Sequence, residues 1–161
     1  MPATDIFDRL KQDHDKHRAL LAEIEGAKGP SEARQQAFDS FKTEVTAHAA
    51  TEEETLYATM MRLSDERHDA QHSVAEHKEI GDLIQKVAEA GPTSPSWTEA
   101  FGELAHKYRH HIDEEEQEMF PKAKDAIGEE KAAALRAEYE NRKPAEVERA
   151  VVGADEGDER E

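Results

Sequence analysis

Apolar residues along this chain recur at spacings of three and four, and no stretch alternates with period two, so the pattern predicts helices and no sheet. The first stripe is Ile6, Leu10, His14, His17, Leu21 and Ile24. It places a helix from about Asp5, with Thr4 as N-cap, to Gly26 and the breaker GAKGP. The second helix follows Ser31 as N-cap and reaches about Leu63, with Phe38, Phe41, Val45, His48, Glu52, Leu56 and Met60 on one face. The polar stretch SDERHD then breaks the periodicity. The third helix, over residues 69–90, carries Val74, His77, Ile80, Ile84 and Val87 and ends at the loop GPTSPS. The fourth opens on a Ser96–Glu99 capping box and carries Trp97, Phe101, Leu104, Tyr108, His111, Glu115 and Met119, until Pro121 disturbs the stripe. An alanine-rich segment, 129–143, reads as a fifth helix, and residues 144–161, acidic and poor in large apolar groups, as a disordered tail.

Four long amphipathic helices with short connections predict an all-α fold: an up-down-up-down four-helix bundle over residues 1–128, with a short C-terminal helical extension. A helix of about 20 residues is about 30 Å long, so its middle lies far from water at either end.

The middles of these stripes are not apolar. Two segments, HAATEEETLY at 48–57 and HIDEEEQEMF at 111–120, each set a histidine four residues before a glutamate. That step leaves the two side chains about 40° apart on one helix face, so His48 with Glu52 and His111 with Glu115 point inward together. His14 and His77 occupy the corresponding stripes of the first and third helices. A buried ionised carboxylate costs several kcal/mol unless it is compensated, and two facing carboxylates repel each other. A cation between them removes both penalties. Imidazole and carboxylate donors together suit iron, manganese or zinc. A lone mid-helix histidine is ordinarily a hydrogen-bonded core residue; four of them on four stripes, with two carboxylates, read as a metal site.

Composition narrows the function classes. With Lys+Arg 21 against Asp+Glu 38, the net charge of -17 repels phosphates and anionic headgroups, so neither nucleic acid nor a membrane is an expected partner. A protein partner could meet the acidic surface or tail. The chain has 0 cysteines, which excludes disulfides, thiolate ligands and thiol nucleophiles. Neither a targeting segment nor a membrane span is legible, so the expected location is cytoplasmic.

The order His14, His48 with Glu52, His77, then His111 with Glu115 and a closing Phe120–Pro121 resembles the hemerythrin-like (HHE cation-binding) family over roughly residues 5–122. The resemblance implies a non-haem di-iron centre: two iron ions with an oxo or hydroxo bridge, Glu52 and Glu115 bridging, and the four histidines as terminal ligands. By the same resemblance His77 and His111 share one iron, and His14 and His48 the other. It further implies binding of, or reaction with, dioxygen, peroxide or a related small oxidant such as nitric oxide. Catalase-like or oxidase turnover is the enzymatic form of that chemistry, and iron or oxygen sensing without turnover is the alternative. Two departures from the oxygen carriers favour turnover or sensing over reversible carriage. Ser73 stands where they have a second histidine, with Tyr108 or another group to fill the gap, and Glu115 lies four rather than five residues after its histidine, leaving Glu116 as a competitor.

The remaining candidates read as structural. Glu53, Glu54, Glu114 and Glu118 form a solvated face, His17 packs near one end of the bundle, and His68, His72, His106 and His110 lie on the surface. Tyr57 and Phe120 close the site as packing groups. Glu116 contributes surface charge.

Overall fold

A computed structural model describes residues 4–156, and these are helical with short connections and no strand. Helix α1 is Ile6–Gly26. Helix α2 begins at Glu32–Glu52, passes through a π-helical turn at Glu53–Tyr57 and continues as Ala58–Met61. Helix α3 is Arg67–Glu89. Helix α4 repeats the plan of α2: Pro95–Glu114, a π turn at Glu115–Met119, then Phe120–Ile127. Helix α5 is Glu129–Glu156.

The helix starts differ in detail from the sequence expectations. Asp5, not Thr4, caps α1, its side chain accepting from the Asp8 amide at 2.9 Å, while the Thr4 amide and hydroxyl donate to the Asp8 carboxylate. Ser94, not Ser96, caps α4, because Pro95 takes the first helical position, where its missing N–H is no loss. Pro121 does not end α4. It sits near the start of the segment after the π turn, and the helix ends instead at Gly128, whose φ of 81° favours glycine.

The largest departure is at the C-terminus. The fifth helix was expected to stop near residue 143, yet it runs to Glu156 with Pro144 inside it; residues 157–161 of the expected tail lie outside the described residues. A mid-helix proline costs about 3 kcal/mol or more. Contacts on either side of it offset that cost. Tyr139 is fully buried, the Lys143 ammonium lies 3.0 Å from Asp13 and 3.6 Å from Glu44, and Glu146 is buried as well. Helix α5 thereby packs along α1 and α2.

The core falls into two apolar clusters separated by a polar belt. One holds Leu21, Phe38, Phe41, Ile84, Trp97 and Leu104; the other holds Ile6, Leu10, Leu56, Met60, Phe120 and, from α5, Leu135. Each fully buried side chain of this size contributes about 1.5–3 kcal/mol. Those two clusters stabilise the fold against the polar groups buried between them.

Gly81, in the middle of α3, has no atom within 4 Å of where a Cβ would stand. Gly81→Ala is therefore expected to stabilise the protein by about 0.5–1 kcal/mol, seen as a raised denaturation midpoint at unchanged m-value. A lower midpoint would show that the position is closed.

Candidate metal centre

The polar belt contains the six residues singled out by periodicity. His14 comes from α1, His48 and Glu52 from α2, His77 from α3, and His111 and Glu115 from α4. All are buried except His77, which is nearly so. Their donor atoms form two overlapping groups, each within 4.8 Å throughout: His14, His48, Glu52 and Glu115, and Glu52, His77, His111 and Glu115. Glu52 Oε1 lies 3.7 Å from His48 Nε2 and 3.2 Å from His77 Nε2. Glu115 Oε1 lies 3.3 Å from His14 Nε2 and 3.5 Å from His111 Nε2. Each carboxylate thus stands between a histidine of one group and a histidine of the other.

The Nδ1 atoms explain why the Nε2 atoms face inward. His14 Nδ1 pairs with Glu116 at 2.7 Å, His48 with Asp13 at 2.9 Å, His77 with Glu53 at 2.8 Å and His111 with Glu76 at 2.9 Å. Such a bond fixes the ring and leaves Nε2 free to ligate. The four carboxylates close a ring, with α1 supporting α2, α2 supporting α3, α3 supporting α4 and α4 supporting α1. Each is also the sequence neighbour of an inward residue: Asp13 beside His14, Glu53 beside Glu52, Glu76 beside His77, Glu116 beside Glu115. Adjacent helical positions diverge by about 100°, so one side chain of each doublet faces the centre while the other reaches the next helix.

These contacts correct several readings made from the sequence alone. Glu53 and Glu116 are not merely solvated charges, and Tyr57 is more than a packing group, since its hydroxyl donates to Glu115 Oε2. His17 lies in the belt, its Nδ1 2.7 Å from the Tyr108 hydroxyl and its ring 5.1 Å from that of His48. Tyr108 is therefore engaged with His17, and Ser73 donates to Met119 Sδ at 3.2 Å. The π turn begins at Glu115, so Glu115 keeps the α-helical register of His111. The displaced register falls after it, where Glu116 comes round to His14. Asp13 is a junction that periodicity could not reveal. Besides His48 it accepts from Tyr139 and Lys143 of α5 and from Arg9.

The interior of this ring is short of partners. His14 Nε2, His48 Nε2, His111 Nε2, both Glu52 oxygens and Glu115 Oε1 are buried without a hydrogen bond. Leaving one such group unsatisfied costs about 1–3 kcal/mol, and metal ligation within the two groups would supply the missing partners. Burial and the Glu115 carboxylate hold the Glu52 pKa well above the usual range. Burial would raise Glu115 too, but His111 and His14 outweigh it and keep Glu115 well below. Two facing buried carboxylates repel each other, and a proton shared between them relieves that repulsion when no cation does. Burial pushes His48 down to about 4, so its ring is neutral. Burial would lower His14, yet Glu115 and Glu116 push it up to about 9. The bond to His111 is the main cause of Glu76 being lowered to about 2.

Because Glu116 fixes His14, Glu116→Ala is expected to weaken metal affinity by about 10- to 100-fold while the bound stoichiometry at saturation stays the same. Titration of a chromophoric divalent metal reads this, and unchanged affinity would reduce Glu116 to a surface charge.

Helices that bury overlapping histidine–carboxylate groups at mid-length define a metal-binding helical bundle. The family model of the hemerythrin HHE cation binding domain matches residues 5–123, and the chain belongs to that family. The fold is similar to a crystal structure of a hemerythrin HHE cation-binding domain-containing protein from Mycobacterium kansasii, at 21% identity, a TM-score of 0.81, and coverage of 94% of this chain and 92% of that one. A DNA nickase from Nostoc sp. is 26% identical over 134 residues, which is 83% of this chain but 38% of that protein. No helix among the described residues is long and apolar enough to cross a membrane.

Proposed function

We propose that the chain holds two iron ions, one at His14 and His48 and the other at His77 and His111, with Glu52 and Glu115 spanning both, and reacts there with dioxygen, peroxide or a related small oxidant such as nitric oxide. The observation that carries this reading is that the two ligand groups share both carboxylates. Histidine and carboxylate donors without cysteine fit iron. The up-down-up-down arrangement of α1 to α4 belongs to the same reading, supported by the ring in which each helix supports a histidine of the next.

When bound, the iron pair supplies the electrons for reducing a small oxidant. The chain's own residues supply geometry and access. The four orienting carboxylates hold the imidazoles, and Tyr57 fixes the free oxygen of Glu115. A cavity of about 380 Å³ between α2 and α3, walled by Val45, Val74, Ile80 and Ile84, reaches His48 and His77. Its apolar walls suit a small uncharged molecule. Nicking belongs to the Nostoc protein; with a net charge of -17, this chain repels a polyanion, and a nucleic-acid substrate has no place in the proposal.

Anaerobic loading with ferrous iron, followed by absorption spectra before and after air or peroxide, tests the reading. Near-ultraviolet bands should appear on oxidation. Loaded protein whose spectrum ignores both oxidants would contradict it, whereas a spectral response without repeated peroxide consumption would mark a sensor.

A further inference from the structure

A second, smaller cavity opens between α3 and α4, and its character is opposite to that of the apolar groove. It measures about 60 Å³, room for an ion and a few waters. Its lining passes from the exposed Glu118 and His72, through the half-buried Asp69 and Glu114, to the buried Glu76, and it reaches His111 and Glu115 of the centre. Three of these side chains already converge. His72 Nε2 is 3.4 Å from Glu76 Oε1 and 3.3 Å from Glu114 Oε1, and ligand atoms of His72, Glu76 and Glu114 lie within 4.8 Å of one another. At the inner end, His111 Nε2 and Glu115 Oε1 are buried without hydrogen-bond partners.

We propose that this pocket is the port by which a divalent cation reaches the centre, with His72, Glu76 and Glu114 forming an outer transit site that passes the ion to His111 and Glu115. The inference rests on the metal-binding reading of the centre and adds the route. A buried site closed over by helices needs a path along which an ion can exchange water for protein oxygens. The acidic pocket offers those oxygens stepwise, whereas the apolar groove offers few and carries Lys78 in its wall.

The outer site is built to be weak. Lys107 lies 3.2 Å from the other Glu76 oxygen, Lys122 lies 3.3 Å from Asp69, and His110 stands 3.3 Å from the second Glu114 oxygen. The two lysines offset part of the acidic charge, so an ion is attracted but not retained. Glu76 links the two sites, because the oxygen that faces His72 also holds His111 Nδ1 at 2.9 Å.

The test is the rate of cobaltous ion uptake, followed anaerobically by stopped-flow absorption in the parent, in His72→Ala/Glu114→Gln and in Gly81→Leu, which fills the apolar groove. Glu76 is left intact because it also supports His111. A charged, focusing pocket raises on-rates by about 10- to 10³-fold, so the double variant should load at least about tenfold more slowly, with unchanged stoichiometry and equilibrium affinity at the centre. Gly81→Leu should load at the parental rate. Parental loading by the double variant, or slow loading by Gly81→Leu alone, overturns the port. Loss of bound metal from the double variant overturns the transit role by placing these residues in the centre itself. Failure of the parent to bind any metal is a different result, and sinks the underlying reading with the port.

Discussion

Glu52→Gln is expected to leave the metal-free protein at least as stable as the parent near neutral pH, and to abolish most of the stabilisation that metal provides. Glu52 is fully buried, neither of its oxygens has a hydrogen-bond partner, and burial beside Glu115 raises its pKa well above the usual range, so its anionic form is disfavoured in the metal-free fold. A glutamine of the same volume carries no charge and removes the repulsion between the two buried carboxylates. It cannot become an anionic bridge between two cations. A ligand that binds only the native state adds about 2.7 kcal/mol at a hundredfold excess over Kd. That increment should be seen in the parent and fall below about 1 kcal/mol in the variant. Thermal unfolding with and without ferrous iron, under argon, reads both halves. An equal metal-linked rise in melting temperature for the two proteins would remove Glu52 from the site.

The metal-linked increment in the parent is also expected to widen as pH rises from 6.5 through about 9. His14 and Glu52 both have native pKa values raised above their unfolded ones. A raised group contributes stability that is complete below the unfolded pKa and is lost as pH climbs through the folded one. For His14 that loss falls between 6.5 and about 9, and Glu52 begins to lose its contribution above 4.5. His48, Glu115 and Asp13 have the opposite sign, being depressed, and their effects lie on the acid side of this window. The metal-free fold should therefore weaken across it, while the loaded form, which has given up those protons, should not. Each proton displaced corresponds to about 1.4 kcal/mol per pH unit. Proton release into weak buffer during loading provides an independent reading. An increment that stays flat across this window, with no protons released, would contradict the assignment of His14 and the carboxylate pair.

Much of the centre was legible because helical periodicity reports which residues face inward. His14, His48, Glu52, His77, His111 and Glu115 interrupt apolar stripes, and in the structure they converge. What periodicity could not report was the supporting ring. Asp13, Glu53, Glu76 and Glu116 each lie beside an inward residue, and their partners sit on another helix, so their roles depend on which helices are neighbours. Their signal was the doublet itself, repeated once on each of four helices. The end of α5 was misjudged for a related reason. Pro144 and the acidic residues after Arg142 describe a poor helix locally, whereas Tyr139 and Lys143 gain contacts with Asp13 and Glu44 that only the packed molecule supplies. The π turns lie directly after Glu52 and at Glu115, where bulges often mark functional sites, but nothing in the apolar pattern announced them.

The central claim is that one bundle holds two ions on two shared carboxylates, and metal content tests it most directly. Protein reconstituted anaerobically with ferrous iron, freed of excess metal and measured by plasma emission against quantitative amino-acid analysis should contain two irons per chain. In the Glu115→Ala protein the content should fall to one or none. A parent that saturates at one iron per chain, or an alanine variant that still holds two, would contradict the shared-carboxylate centre.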